Sequence, residues 1–465
     1  LSDYTSARRI DPGSDWLLGV WMHTKMHLCD WSDFDSELAE LNTRILQANS
    51  ASPPFPVLAL IDRPSLQLQS AKIWVRARHP PSLLLTPIEK YARHKKIRIG
   101  YFSCDFRSHP VSLLAANLFE RHDRSRFEVT AFSFGPDTKD QMRKRLERGF
   151  DRFIDVRGMP DREIVRLARG MELDIAVDLA GFTKGSRPNL FALRVAPLQV
   201  SYLGYLGTMG AGYMDYLIAD EIIMPGELRR HYAEKIVYLP SYQANDSGQL
   251  VSDRKNCREE LGLPRNGFVF CCVNATYKIL PATFDSWMRI LRQVKDSVLF
   301  LISENATVQR NLRREAWRRG VSEDRLVFGR RLPHPEYLAR FCRVDLFLDT
   351  LPYNAGTTAS DALRAGLPVL TRMGESFAAR IAASLLHAIG LPELATTSEE
   401  QYETTAVTLA REPTQLAALK DRLCRNRSSM PLFDTAQFTT HLERAYAQMY
   451  ERYCADLDPD DIRIS

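Results

Sequence analysis

Two series of short apolar segments, separated by intervals long enough for helices, constrain this chain more than any other feature. Alternation of this kind predicts parallel β-sheets covered by helices on their faces. We therefore expect an α/β protein with two Rossmann-like domains. The predicted strands are 97–103, 129–133, 153–156, 174–179 and 199–204 in the first series, and 268–273, 297–302, 326–328, 344–348 and 368–371 in the second.

Segments without this alternation flank the two series. The first ninety residues contain an amphipathic stretch that predicts a helix over 32–47, for which Ser32 and Asp35 form a capping box. Amphipathic helices end the chain. The predicted organisation is a helical N-terminal segment with a connector at 1–95, a first Rossmann-like domain at 96–253, a second at 254–430, and a C-terminal helix and tail at 431–465.

Composition excludes several classes of protein. The 465 residues are 45% hydrophobic, which suits two or three domains with real cores. A net charge of +5, from 62 basic and 57 acidic residues, argues against extensive nucleic-acid binding. No apolar run has the length of a membrane span and no signal pattern opens the chain, so we expect a cytoplasmic protein without a membrane partner. Because the first residue is Leu, we expect upstream residues to be missing.

The eight cysteines form no CxxC pair, and two of them are adjacent inside an apolar run. We therefore expect reduced core residues rather than a metal or disulfide framework. The histidines show no HxxxH or other metal-ligand spacing, so no metal site is predicted.

The segment 349–361 joins a buried strand to a helix and predicts an anion site. Thr357 and Thr358 lie at the expected helix N-terminus, where unpaired N–H groups and the macrodipole favour a negative ligand. Asp361, about one turn further on, is placed to accept hydrogen bonds from ribose hydroxyls. The alternative is a well-capped helix with an ordinary acid in its first turn, and the segment alone does not decide.

His109 and Lys278 each follow the first strand of a series. Pro110 suits the first helical position and keeps His109 non-helical, where an imidazole can exchange a proton near neutral pH. Lys278 can neutralise a leaving diphosphate without a metal. The alternatives for His109 are a surface loop histidine or one that caps its own helix, and the alternative for Lys278 is a solvated loop lysine.

Rossmann-like sheets bind ligands outside the carboxyl ends of their strands, so we expect the site in the cleft between the two domains. Neither series carries GxGxxG after its first strand or a Walker-type phosphate loop, which favours a sugar nucleotide. The loop 204–210, at the end of a predicted strand of the first series, has glycines that permit close approach to a ligand or serve a tight turn. Its candidate residues are Gly204, Tyr205, Gly207 and Thr208.

Taken together, these segments resemble the peptide O-linked N-acetylglucosamine transferase family, including its bacterial members. The resemblance covers roughly Cys29 to Tyr453. It is carried by Cys29-Asp-Trp31, Asp105-Phe-Arg-Ser-His-Pro110, Gly181-Phe-Thr-Lys-Gly185, Ala196-Pro-Leu-Gln-Val-Ser-Tyr-Leu-Gly-Tyr205, Tyr277-Lys-Ile279, Thr357-Thr358 with Asp361, and Gly374-Glu-Ser-Phe-Ala-Ala-Arg380.

The resemblance implies a GT-B fold and inverting, metal-independent transfer from UDP-N-acetylglucosamine to Ser or Thr hydroxyls of a protein or peptide acceptor. It implies that Lys278 supports the leaving diphosphate and that His109 lies near the reaction centre. Thr357, Thr358 and Asp361 match residues that hold phosphate and ribose. Asn274 and Gly356 complete the predicted nucleotide-sugar-binding positions, and no cofactor is expected. In this family tetratricopeptide repeats precede the catalytic part, and residues 1 to about 50 resemble the end of such a region.

Five positions depart from the family pattern. Ala275 replaces an amide side chain, Leu206 interrupts a Gly-Tyr-Pro-Gly loop, Tyr337 and Gly356 stand where histidines are common, and His334 stands near a position that can be lysine. These departures keep two alternatives open. One is a weak or inactive homologue that binds a nucleotide or a partner, and the other is a transferase for another sugar or acceptor.

Overall fold

The computed structural model describes residues 1–82, 84–249, 252 and 257–465. The chain divides into two compact units, each built from two stretches of sequence. Unit 1 comprises Leu1–Arg63 with Leu250–Met430, and unit 2 comprises Pro64–Gln249 with Pro431–Ser465. The predicted N-terminal segment is therefore shared between the units, and the C-terminal helix belongs with the first sheet.

Strands and helices are numbered along the chain. The strands are β1 Ile97–Ser103, β2 Phe127–Ser133, β3 Arg152–Asp155, β4 Ile175–Asp178, β5 Leu198–Ser201, β6 Tyr216–Ala219, β7 Lys235–Tyr238, β8 Val269–Cys272, β9 Val298–Ile302, β10 Leu326–Gly329, β11 Leu346–Leu348, β12 Val369–Arg372, β13 Ala395–Thr396 and β14 Ile462–Arg463. The helices are α1 Ser2–Ile10, α2 Leu17–His27, α3 Phe34–Leu46, α4 Pro54–Leu60, α5 Pro64–Arg78, α6 Pro110–Arg121, α7 Gln141–Gly149, α8 Asp161–Gly170, α9 Asn189–Ala192, α10 Pro281–Gln293, α11 Ala306–Arg318, α12 His334–Arg340, α13 Thr357–Arg364, α14 Ile381–Ala388, α15 Glu399–Arg411, α16 Pro413–Ser429 and α17 Thr435–Cys454.

Unit 2 contains a parallel sheet with the strand order β14-β7-β6-β5-β4-β1-β2-β3. Its centre is apolar on both faces, as parallel sheets covered by helices require. Phe102 of β1 lies in register with Phe132 of β2, and their rings stack with centroids 4.5 Å apart. Helix α17 joins this core, where the Tyr446 hydroxyl is 3.1 Å from the Tyr101 hydroxyl.

Unit 1 contains a second parallel sheet, in the order β10-β9-β8-β11-β12-β13. Read from the first strand of the unit, this is the 3-2-1-4-5-6 order of a Rossmann-like sheet, and unit 2 follows the same order through β6. The order reverses between β8 and β11 in unit 1 and between β1 and β4 in unit 2. Ligands of doubly wound sheets bind at this reversal, outside the carboxyl ends of the strands.

All ten predicted strands are confirmed, each within a few residues of the expected bounds. The sequence patterns missed β6, β7, β13 and β14, which have only two to four residues each. The predicted tail is also wrong. Asp461 accepts a hydrogen bond from the Ile236 amide (2.7 Å), and β14 then pairs with β7 as an edge strand.

Two local predictions fail for identifiable reasons. Helix α3 begins at Phe34 behind Asp33, whose backbone is left-handed and whose side chain makes no cap. The Ser32 hydroxyl donates instead to Asp30, so the predicted capping box does not form. Only half of the cysteines lie in the core, because Cys257, Cys342 and Cys424 are exposed and Cys454 is half-buried.

In the described ranges, no helix has both the length and the apolar character needed to cross a bilayer.

Candidate active site

The Lys278 ammonium lies at the carboxyl end of β8 in unit 1. The lysine ends a short 3-10 turn that begins at Thr276. Its Nζ donates to the carbonyl oxygen of Asn354 (3.1 Å) and lies 4.0 Å from the centroid of the Tyr353 ring. Burial lowers the pKa of Lys278 to about 8, although the nearby Asp349 carboxylate opposes the shift. Lys278 is therefore a positioned cation and not the solvated lysine of the alternative interpretation.

The loop that carries Asn354 is braced by Asp349, which follows β11. One Asp349 oxygen accepts from the amides of Thr350 (2.7 Å) and Ala355 (2.8 Å), and the other accepts from the Thr371 hydroxyl (2.7 Å). Burial raises the pKa of Asp349, while these hydrogen bonds act in the opposite direction. A buried carboxylate with several donors holds the loop in one shape, because losing any donor would leave a buried polar group unpaired.

Asn274 belongs to the same brace. Its Nδ2 donates to the Asp349 carboxylate (3.1 Å) and the Thr350 hydroxyl (2.8 Å). Its buried Oδ1 has no hydrogen-bond partner in the described part of the chain. The structure thus gives Asn274 a supporting position in the loop, with one acceptor atom left over.

Helix α13 begins directly after this loop. Gly356 is its N-cap residue, and no side chain caps the helix. Thr357 and Thr358, in the first turn, are half-buried. The N–H groups of a first helical turn have no intrahelical acceptor, and the macrodipole adds positive potential there. The start of α13 therefore offers unpaired N–H donors, and the anion site expected there stays a prediction.

Asp361, one turn into α13, is buried. Its Oδ1 lies 3.6 Å from Nε2 of His334, the first residue of α12. Tyr337, one turn later in α12, packs its ring edge-on against Phe341, with centroids 5.1 Å apart. The acid predicted to bind ribose is thus adjacent to His334, one of the five positions that depart from the family pattern.

Two N-terminal helices pack against the turn that carries Lys278. The rings of His23 and His27, from α2, lie 4.8 Å and 4.9 Å from the ring of Tyr277. Phe55, from α4, lies 6.1 Å from Tyr277. The Thr276 hydroxyl donates to the His27 carbonyl (2.9 Å). The N-terminal helices therefore form part of the wall of this region of unit 1, which periodicity alone could not show.

His109 lies in unit 2, directly before α6. Pro110 occupies the first helical position as predicted, and the Nδ1 of His109 accepts from the Val111 amide (3.4 Å). The same nitrogen is 3.5 Å from Oδ2 of Asp105. Burial lowers the pKa of His109, and Asp105 opposes the shift. His109 therefore makes the helix-capping contact that one of the alternative interpretations proposed.

In the loop after β5, candidate residues contact other parts of unit 2. A Cβ added at Gly204 would come 1.9 Å from the Leu179 carbonyl oxygen, so the glycine permits a close approach between two backbones. The Thr208 hydroxyl donates to Glu234 (2.7 Å). Tyr205 is buried against Phe182, with ring centroids 5.3 Å apart, and Gly207 is buried in the same loop.

The structure thus places the unit 1 candidates after β8 (Asn274 and Lys278), at the end of the loop after β11 (Gly356) and in α13 (Thr357, Thr358 and Asp361). It places His109 and the four loop candidates in unit 2. Sequence reasoning missed the Asn354 carbonyl and the Asp349 brace. An acid directly after a buried strand was the available signal for Asp349. A backbone carbonyl leaves no such signal in a sequence.

Two parallel Rossmann-like sheets, each with its candidate residues after the carboxyl ends of its strands, define the GT-B class of glycosyltransferase folds. The structure superposes on a lysine-to-methionine variant of the Thermobaculum terrenum O-GlcNAc transferase with a TM-score of 0.82 and 29% identity, over 97% of this chain and 87% of the other. Anabaena HepE in complex with UDP and glucose shares the fold at a TM-score of 0.52 and 13% identity, over 75% of this chain and 100% of the other.

The chain belongs to glycosyl transferase family 41, whose model matches residues 72–256 and 243–442. It is 34% identical to the probable UDP-N-acetylglucosamine–peptide N-acetylglucosaminyltransferase SEC of Arabidopsis thaliana, over 95% of this chain and 48% of that protein. It is 26% identical to a Caenorhabditis elegans enzyme named for the same activity, over 94% of this chain and 49% of that protein. The chain therefore spans about half the length of the curated relatives it matches.

Proposed function

We propose that this chain transfers N-acetylglucosamine from UDP-N-acetylglucosamine to Ser or Thr hydroxyls of proteins. Family membership supports glycosyl transfer, and the names of two relatives supply the donor and the peptide acceptor. A cytoplasmic location and independence from metal ions are parts of the same proposal that derive from the sequence.

The observation that carries the proposal is the Lys278 ammonium, held by the Asn354 carbonyl (3.1 Å) on the loop that leads into α13. A leaving nucleoside diphosphate gains negative charge as its bond to the sugar breaks. A lysine with a pKa of about 8 is mostly protonated at pH 7 and can stabilise that charge. The first turn of α13 supplies N–H donors to the same kind of anion. In the proposed mechanism, these groups stabilise the leaving diphosphate without a metal ion.

In the proposed reaction, the acceptor hydroxyl oxygen attacks the anomeric carbon of the donor sugar. The bond from that carbon to the diphosphate oxygen breaks, and the electron pair leaves with UDP. A single displacement inverts the configuration at the anomeric carbon. The hydroxyl proton must pass to a base, and we propose His109 for this role because burial keeps its imidazole neutral near pH 7.

The two contacts of His109 Nδ1 favour opposite tautomers. The Val111 amide requires a lone pair on Nδ1, which places the proton on Nε2 and makes Nε2 a donor. The Asp105 carboxylate, 3.5 Å away, favours a proton on Nδ1 and leaves Nε2 free to accept one. The base function therefore requires the tautomer that Asp105 stabilises.

Incubation of the protein with UDP-N-acetylglucosamine and a lysate, followed by peptide mass spectrometry, tests the proposal. We expect N-acetylhexosamine on Ser or Thr residues, with activity retained in a chelator. Competition with other UDP-sugars identifies the preferred sugar. Absence of transfer from every UDP-sugar tested, with a folded protein, would refute the enzymatic function.

A second candidate function is nucleotide binding without turnover. Gly356 leaves α13 without a side-chain cap, Ala275 is exposed, and Tyr337 packs against Phe341. The family resemblance implies that Gly356 and Ala275 replace polar side chains, and the loss of a hydrogen bond costs about 1–3 kcal/mol where a buried polar partner is left unpaired. UDP binding without transfer to any acceptor would favour this second function.

A further inference from the structure

The loop after β12 in unit 1 binds the side chain of an acid more than 300 residues away in sequence. The carboxylate of Asp62, from the connection between α4 and α5, accepts from the Ser376 amide (2.8 Å) and from the Glu375 amide (3.0 Å to Oδ2 and 3.2 Å to Oδ1). Consecutive N–H groups that converge on one anion form a backbone nest. Asp62 supplies the anion from within unit 1.

Gly374 makes this contact possible. A Cβ added at Gly374 would lie 2.1 Å from Oδ2 of Asp62, which is closer than any real contact. The Arg380 side chain donates to the Gly374 carbonyl (2.9 Å) and closes the loop from the other side. The loop and the carboxylate therefore fit each other closely, which a loose surface contact would not require.

The same loop continues toward Lys278 through the backbone. The Ala378 carbonyl, two residues after Ser376, accepts from the amide of Asn354 (2.9 Å). The carbonyl of Asn354 in turn accepts from Lys278 Nζ (3.1 Å). Strands β11 and β12 are paired neighbours, so the loops that follow them meet at one edge of the sheet. A short chain of hydrogen bonds thus joins Asp62 to the ammonium.

We propose that Asp62 is a positioning residue for Lys278. Asp62 fixes the loop after β12, that loop fixes the backbone of Asn354, and the Asn354 carbonyl holds the ammonium. The effect of Asp62 on catalysis rests on the function proposed above, whereas its effect on Lys278 does not. Asp349 and Cys272 are the groups whose electrostatic interaction raises the pKa of Lys278, Tyr353 places its ring against the ammonium, and a change at Asp62 leaves all three residues in the sequence.

A purely structural role for Asp62 makes a different prediction. If the carboxylate only ties the N-terminal helices to the loop, its loss lowers stability and leaves the properties of Lys278 unchanged. If it positions Lys278, its loss also weakens the hydrogen bond that favours the charged ammonium, so the pKa of Lys278 falls. Lysine titration separates the two roles.

The test uses Asp62→Asn, which keeps the shape of the side chain but places an amide against the N–H groups. Gly374→Ala is the second variant, because it leaves Asp62 in the sequence and displaces its carboxylate. Asp30→Asn is the matched control: Asp30 is also half-buried in the N-terminal part of unit 1, but it accepts hydrogen bonds from the amide and hydroxyl of Ser32 and not from the loop after β12.

Lys278 is titrated by NMR in protein with isotope-labelled lysine, using Lys278→Met to assign its signal. We expect a lower Lys278 pKa in Asp62→Asn and Gly374→Ala than in the wild type, and an unchanged pKa in Asp30→Asn. In the transfer assay we expect kcat of Asp62→Asn and Gly374→Ala to fall by about tenfold or more, while KM for the UDP-sugar changes less than about threefold. The reason is that the lysine acts mainly on charge that develops in the transition state.

An unchanged Lys278 pKa in both folded variants would overturn the proposal, whatever the stability of the variants. If the wild type transfers no sugar but the Lys278 pKa falls as expected, the positioning role stands and the proposed function fails. If the wild type is active and kcat is unchanged in both variants, Asp62 has no positioning role in catalysis.

Discussion

The loops at the carboxyl ends of the two sheets differ in how their polar groups are used. In unit 1, Asp349 and Asn274 brace a loop and leave Lys278 and the start of α13 available to an anion. In unit 2, Thr208 donates to Glu234 and His109 caps its own helix. Both sheets have the same strand order in their central part. Strand order thus determines where ligands bind, and the pairing of polar groups determines which loop can hold one.

The largest expected effect is that of Lys278→Met on turnover. We expect kcat to fall by about 10²–10³-fold, as for loss of one electrostatic donor in an active site. Stability should change little, because methionine fills a similar volume and the ammonium is already disfavoured by burial. Steady-state kinetics and thermal unfolding measure the two quantities.

Lys420→Met is the matched control for this lysine. Lys420 also lies in unit 1, and its Nζ is 3.7 Å from Asp345, away from the loop of Asn354. Its turnover should match that of the wild type. Equal rates in the Lys278 and Lys420 variants would remove Lys278 from the mechanism.

Substitution of His109 should have the second-largest effect. It distinguishes a histidine that only caps α6 from one that also acts as a base. Asparagine is a good N-cap residue but cannot act as a base near pH 7, so His109→Asn should keep stability while kcat falls by about 10²-fold or more. His109→Ala should lose the same activity and, in addition, about 0.5–2 kcal/mol of stability. Activity retained in His109→Asn but lost in His109→Ala would show that the histidine acts only as a cap.

Thr208→Val tests whether the loop of unit 2 is structural. Loss of the hydroxyl removes a 2.7 Å hydrogen bond to the buried Glu234, so we expect a decrease of about 1–3 kcal/mol in the free energy of unfolding. UDP affinity should be unchanged. Chemical denaturation and UDP titration check the two parts, and a large loss of UDP affinity in a stable variant would assign this loop to the donor.

The smallest expected effect is that of Thr358→Val in the first turn of α13. The backbone N–H groups remain and only a hydroxyl is lost, so we expect KM for the UDP-sugar to rise about fivefold, from about 1 kcal/mol of binding energy. Stability should be close to that of the wild type, because Thr358 is half-buried and caps nothing. An unchanged KM would show that the Thr358 hydroxyl does not contact the donor.

The sequence predicted the sheets because their strands are apolar and evenly spaced. It missed β6, β7, β13 and β14, since strands of only two to four residues leave little periodic signal. The sequence patterns could not predict the boundaries of the compact units for another reason. Residues 1–63 pack against the second sheet through contacts such as that of Thr276 with His27. Local periodicity carries no information about such long-range packing.

The candidate side chains were easier to predict from the sequence than the backbone atoms that position them. Lys278, Thr357, Thr358 and Asp361 could be identified because strand ends and helix starts have recognisable patterns. The Asn354 carbonyl and the nest that holds Asp62 could not, since both depend on backbone atoms that every residue has. The candidate side chains could thus be named from the sequence, while the backbone atoms that hold them in place required a structure.

Calorimetric titration with UDP tests the central claim most directly, because it examines the anion site of unit 1 before any acceptor is known. The account predicts saturable, one-to-one binding to the wild type and to Thr208→Val, and weaker binding to a Thr357→Val, Thr358→Val double variant. Absence of UDP binding to the folded wild type, or equal affinity in all three proteins, would contradict it.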